Sequence, residues 1–352
     1  MPPYLDGCSF EEVARVALNF GGMLRQGRGG RRKPVSADSI STGIGGVATQ
    51  IGLDRGARPL HQPGSDKYIL PIQHMLAGFR SFDPPTEKKL ACHPDLPLFA
   101  VTNAYKGDPS VVRQATGDLV CIAFYFLLRI GEYTTKTKRK KKTRTRQFRV
   151  KDVTFFKHGK DGKLQPLARD ATEEEILNAD TATLRISNQK NGHAGACIHH
   201  TAIKDNTAAC PVKALARRYI HIIQNTKNRN AFICTYFDKA GMGSVTDNQI
   251  RFSVKFAARS LHYDKRGIPI DRIDTHSLRS GGACALKLAG YDAVQIKKMG
   301  RWKPKSNAFL EYIQQQLSTF SKGMATGMSR IDTFTNMEGT TEQEDLRHQT
   351  IF

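Results

Sequence analysis

Apolar residues recur at helical spacing in two stretches near the start of the chain, FEEVARVALNFGGMLRQ and KYILPIQHMLAGFRSF. A Gly-, Arg- and Ser-rich loop running from Gln26 to about Ser41 separates them. The period predicts amphipathic helices, and so a small helical domain over residues 1–82. Pro84 and Pro85, within DPPTEKKLACHP, stop any helix, so residues 83–92 read as a linker and a second domain, 93–320, follows. There LVCIAFYFLLRIGEYT, entered through Thr116-Gly117-Asp118, is apolar nearly all round. That pattern predicts a helix buried on most faces, with Arg129 inside it. An arginine in such surroundings needs a counter-charge, and Glu132 lies three residues on, on the same helical face.

The pattern then changes. FRVKDVTFF, ATLRIS and ACIHHTAI are rich in β-branched and aromatic residues and predict strands, the last two joined through QKNGHAG. Asn191-Gly192 is a strong hairpin signal, and Lys190, just before it, falls at the hairpin tip, where a lysine is ordinarily only solvated. From Pro211 the helical period returns in PVKALARRYIHIIQ and in TDNQIRFSVKFAARSL, with Thr246 as N-cap and Ile250, Val254, Ala257 and Leu261 on one stripe. Three shorter helices follow. THSLRSGGACALKLAG ends at Gly290; YDAVQIKKMG is capped by Asp292 and stopped by Gly300; SNAFLEYIQQQLSTF carries Phe309, Ile313, Leu317 and Phe320 as its stripe. The sum is a mainly α fold with a small antiparallel β-sheet, an α+β class, followed by a tail from residue 321 to 352.

Charge narrows the partner. Among 352 residues, 54 Lys and Arg face 32 Asp and Glu, a net charge of +22 that favours a polyanion, double-stranded DNA first. Nine of the 14 residues from Lys136 to Arg149 are basic and none is acidic. This run reads equally as a solvated insertion, a nuclear localisation signal or a phosphate contact. No run of about 18 apolar residues suggests a membrane span. Seven scattered cysteines and the lack of a signal-peptide core point to a reducing compartment, the nucleus or the cytoplasm. His193, Cys197, His199, His200 and Cys210 lack paired short spacings, and alternate strand residues face opposite ways, so no metal is expected there.

The chemistry gathers near the end. His276 and Arg279 share a helix face, Trp302 is the only tryptophan and follows Gly-Arg, and Tyr312 lies beside the apolar stripe of the last helix. The order Arg129 with Glu132, Lys190 at a hairpin, His276-x-x-Arg279, Trp302, then Tyr312 resembles the tyrosine recombinases, or phage-integrase family, over residues of about 86 to 320. LLRIGEY, HSLR, GRW and FLEYI occupy the places of that family's motifs, and GEYT and CPVKAL are similar to the Crypton-type recombinases of mobile elements. The resemblance implies a tyrosine-recombinase-like catalytic domain behind a core-binding-like DNA clamp. It implies site-specific recombination or integration through a 3′-phosphotyrosine, without metal or other cofactor, by a homo-oligomer, a tetramer on DNA. The catalytic set carried over is Arg129, Lys190, His276, Arg279, Trp302 and Tyr312, with Glu132 behind Arg129; the tail would be a loose end or an exchanged helix. Ser280-Gly281-Gly282 departs from the family's usual basic or hydroxylated pair, and the Trp302-to-Tyr312 gap is one residue longer than its pattern. Two alternatives use much the same residues, a catalytically inactive, domesticated DNA-binding protein and a type IB topoisomerase-like enzyme.

Overall fold

The computed structural model describes residues 5, 7–28, 34–56, 58–84, 89–135, 146–187, 195–204, 208–303 and 310. The chain divides into two compact units, Met1–Glu87 and Lys88–Phe352. Lys190, Tyr312, most of the basic run, the helix expected around Phe309 and the 321–352 tail lie outside the described residues, apart from Leu310.

In the first unit the capping box of Ser9 and Glu12 starts α1 (Phe10–Arg25). A second helix, α2 (Ala37–Arg55), begins inside the segment that reads as loop in the sequence. Its Gly, Ser and Thr are weak helix formers, which hides it, yet Ile40, Ile44, Ala48 and Ile51 fall on one face and are buried. Gly56 ends it in the left-handed conformation. Those residues pack against Val13 and Ala17 of α1 and Ile72 and Leu76 of α3 (Leu70–Ser81). Asp83 closes the unit, pairing with Arg25 and accepting the Ala37 N–H at 2.8 Å.

The second unit is built on α5 (Val111–Tyr125), whose residues from Ala115 to Phe124 are all buried. Around it pack α4 (Asp95–Ala104), α8 (Pro211–Thr226), α9 (Asp247–Ser260) and α10 (Thr275–Leu288). α5 opens at its N-cap Ser110, earlier than its apolar run begins, and it stops before Arg129. Leu127 takes a left-handed turn at φ 48°, Arg129 is extended, and a one-turn helix, α6 (Ile130–Tyr133), follows. The arginine thus lies at a bend between two helices rather than within one, where backbone carbonyls are released for other donors.

β1 (Val153–His158), β2 (Leu164–Pro166), β3 (Thr181–Arg185) and β4 (Cys197–Thr201) form an antiparallel sheet in the order β2-β1-β3-β4, with Val153 opposite Leu184 and Arg185 opposite Cys197. The short helix α7 (Glu173–Leu177) joins β2 to β3, and a two-stranded hairpin, β5 (Thr235–Asp238) with β6 (Gly241–Ser244), precedes α9. The segment that reads as a linker is tied down at its C-terminal end: Leu90 N–H donates to Arg272 O at 2.9 Å and Cys92 N–H to Ser277 O at 3.2 Å. The mainly α architecture with a small antiparallel sheet agrees with the sequence pattern.

Candidate active site

Three chain segments meet at one place. The first is the bend after α5, which carries Arg129 and Glu132. Glu132 is fully buried; its Oε2 accepts the Arg129 N–H at 2.9 Å and its Oε1 faces Arg129 Nη1 at 3.2 Å. The Arg129 side chain keeps 28% of its surface open to solvent. The pairing expected from the sequence is therefore present, and it holds a partly open guanidinium by a buried carboxylate.

The second segment is the start of α10. Asp274 caps it through the Thr275 N–H at 2.6 Å and accepts Arg251 Nε of α9 at 3.1 Å, while Ser277 Oγ returns a bond to the Asp274 N–H at 3.0 Å. This fixes the first turn, on which His276 is exposed and Arg279 is 1% exposed. The His276 pKa is lowered, first by the crowding of protein around the ring and then by Arg279 and Arg129. The lowered value favours the neutral imidazole.

The third segment is the end of α11 (Ala293–Gly300). The helix does not stop by placing Gly300 in the left-handed conformation, as the sequence suggests; the residue in that conformation is Arg301, at φ 57°. Gly300 is needed for another reason, since a Cβ there would overlap the Trp302 ring. Trp302 folds back over the helix end, its N–H on Lys297 O at 3.0 Å, and its ring lies 4.3 Å from the Arg279 guanidinium carbon.

Backbone carbonyls knit these segments together. Arg279 donates through Nη1 to Leu127 O and through Nη2 to Gly300 O. Arg301, 3% exposed, donates through Nη2 to the same Leu127 carbonyl at 2.9 Å and to Glu132 Oε2 at 3.1 Å. The structure thus brings Arg129, Glu132, His276, Arg279 and Trp302 together from positions far apart in the chain. Arg129 and Arg279 are not equivalent: one is partly open, while the other is buried behind it, stacked on Trp302. Arg301 is the site residue that motif reading misses. Its signal was a charged residue beside the only tryptophan, which burial would oblige to find a partner.

Two guanidinium groups, Arg129 and Arg301, share the Glu132 carboxylate, and a third, Arg279, is held beside them on the Leu127 and Gly300 carbonyls, a local excess of positive charge suited to an anion. Among the described residues no group of three or more His, Cys, Asp or Glu side chains could hold a metal. His199 bonds Thr183 Oγ1 at 2.7 Å, and His200 bonds the Tyr125 carbonyl, also at 2.7 Å. Among the described residues no helix is long and apolar enough to cross a membrane.

No family model matches the chain, and no curated protein matches it. Solved structures do. The Tn1549 transposon integrase in complex with a circular intermediate DNA aligns at 12% identity and a TM-score of 0.42, over 88% of this chain and 81% of that one. XerH site-specific recombinase bound to a palindromic difH substrate aligns at 12% identity and a TM-score of 0.48, over 90% of this chain and 72% of that one. XerA recombinase aligns at 12% identity and a TM-score of 0.33, over 87% and 89%.

Proposed function

We propose that this chain cleaves and rejoins DNA strands as a tyrosine recombinase. The observation that carries the reading is the convergence of Arg129, Glu132, His276, Arg279 and Trp302 on one corner with a surplus of guanidinium charge. Attack on a phosphodiester spreads negative charge over the nonbridging oxygens, and fixed cations at the site stabilise it. Arg129, partly open, offers the direct contact. Arg279 supports it from behind and holds Trp302 in place.

Tyr312 supplies the nucleophilic oxygen. A P–O bond forms to the tyrosine as the bond to the 5′-oxygen breaks, giving a 3′-phosphotyrosine that keeps the bond's energy for rejoining. The tyrosine proton must leave and the 5′-oxygen must gain one. His276, held neutral by its surroundings, is suited to move the first, and Lys190 to donate the second. The Lys136–Arg149 run, together with the first unit as a clamp, binds the duplex backbone, and the active assembly is a homo-oligomer, a tetramer on DNA. Site-specific recombination or integration, as of a mobile element, is the role this reading favours, in the nucleus if the host is eukaryotic and otherwise in the cytoplasm.

A nicked duplex that loses its 5′ fragment after cleavage traps the adduct. Incubation followed by denaturing electrophoresis should show a covalent protein–DNA band, and Tyr312→Phe should abolish it while noncovalent binding stays within about twofold. A band that persists and maps to another tyrosine overturns the nucleophile. Binding with no band from the parent chain selects the inactive DNA-binding alternative.

A further inference from the structure

Arg301 carries two costs that an idle residue would not. Its backbone is left-handed, at φ 57°, where glycine or asparagine is the easier occupant. Its guanidinium is buried, and burying a charge is unfavourable unless a partner repays it. The partner is Glu132, whose Oε2 lies 3.1 Å from Arg301 Nη2. The same carboxylate holds Arg129 through Oε1 at 3.2 Å and through the Arg129 N–H on Oε2 at 2.9 Å. One buried anion is therefore shared between a buried and a partly open guanidinium.

We infer that Arg301 is a positioning residue for strand cleavage: by taking part of the Glu132 charge it lets that carboxylate orient Arg129 without neutralising it. The inference rests on the function proposed above. With Arg301 present the three groups carry a net charge of one positive unit; without it Arg129 and Glu132 form a closed, neutral pair. In a poorly hydrated corner that difference is felt directly by an approaching phosphate. Arg301 also ties this balance to the end of α11, because its Nη2 shares the Leu127 carbonyl with Arg279.

The test compares two nicked duplexes, one with the ordinary phosphate at the cleavage position and one with an uncharged methylphosphonate. The parent should bind the charged duplex about tenfold tighter, the scale of one charge-assisted contact. Arg301→Met should lose most of that preference and slow single-turnover cleavage at least about tenfold at saturating DNA. Arg301→Met with Glu132→Gln should recover both in part, because nothing then cancels Arg129. Arg301→Gln keeps a donor for Leu127 O and replaces the Met variant if Trp302 emission shows that variant unfolded. Parental preference and rate in the single variant, or losses that multiply in the double variant, overturn the inference and leave Arg301 a packing residue. A parent that prefers the charged duplex yet forms no adduct overturns the enzyme reading alone. A parent that forms the adduct but shows no preference overturns the inference alone, and a parent with neither overturns both.

Discussion

At the scale of single residues the site depends on the absence of atoms as much as on their presence. Gly300 has ordinary helical geometry, so conformational freedom does not explain it; the Trp302 ring occupies the space its Cβ would need. Gly300→Ala should push the indole off the Arg279 guanidinium and destabilise the second unit by about 1–3 kcal/mol, the usual range for overpacking a filled site. Trp302 is the only tryptophan, so its emission reports this place alone. A red-shifted maximum with a lowered Tm is the expected outcome; an unchanged spectrum would mean that the ring has another seat. Motif order alone locates Arg129, Glu132, His276, Arg279 and Trp302. Arg301 stayed hidden because its role lies in burial and in a left-handed backbone, neither of which spacing encodes.

At the scale of elements, the Ser280-Gly281-Gly282 departure from the family pattern has a packing cause. A Cβ on Gly281 would overlap the Cys92 carbonyl, and one on Gly282 would overlap the Phe124 carbonyl and Leu127 Cδ2. The small residues let α10 lie against both the 90–92 segment and the end of α5, which brings Arg279 within reach of Leu127 O. The obstructing atoms are mainly backbone and cannot rotate away. Gly281→Ala and Gly282→Ala should each cost about 3 kcal/mol or more in urea unfolding, at the upper end of overpacking; a loss below about 1 kcal/mol for either would show that α10 can slide. Elements with a clear period, such as α1, α3, α8 and α9, were legible in the sequence. Less legible were α2, made of weak helix formers, β2 and the β5–β6 hairpin, too short for a pattern, and the bend at Leu127, where an unbroken apolar run conceals a change of direction.

At the scale of the whole molecule, histidine burial sets a common response to acid. His61 in the first unit and His93, His200, His221 and His276 in the second all have lowered pKa values, with desolvation the first cause in each. A folded-state pKa below the unfolded one means that unfolding takes up protons, so the stability these groups contribute is complete above the unfolded value and is lost as pH falls below it. His200 is the strongest case, lowered from 6.5 to about 4 between the Tyr125 carbonyl and the Phe126 ring. It alone should remove roughly 2–3 kcal/mol between pH 7.5 and pH 4.5. His200→Gln keeps a donor for the Tyr125 carbonyl but cannot titrate. Urea unfolding followed by Trp302 emission reads the second unit only, so the first unit's response does not enter. The parent's midpoint should fall steeply over that interval, and the variant's fall should be smaller by the His200 share. Glu12, Asp83, Glu175 and Asp180 have lowered pKa values, so the stability they contribute starts to be lost as pH falls into the ordinary carboxylate range and goes on being lost down to their folded values, a response common to both proteins. Equal pH slopes in parent and variant would mean that His200 is as readily protonated in the fold as in the open chain.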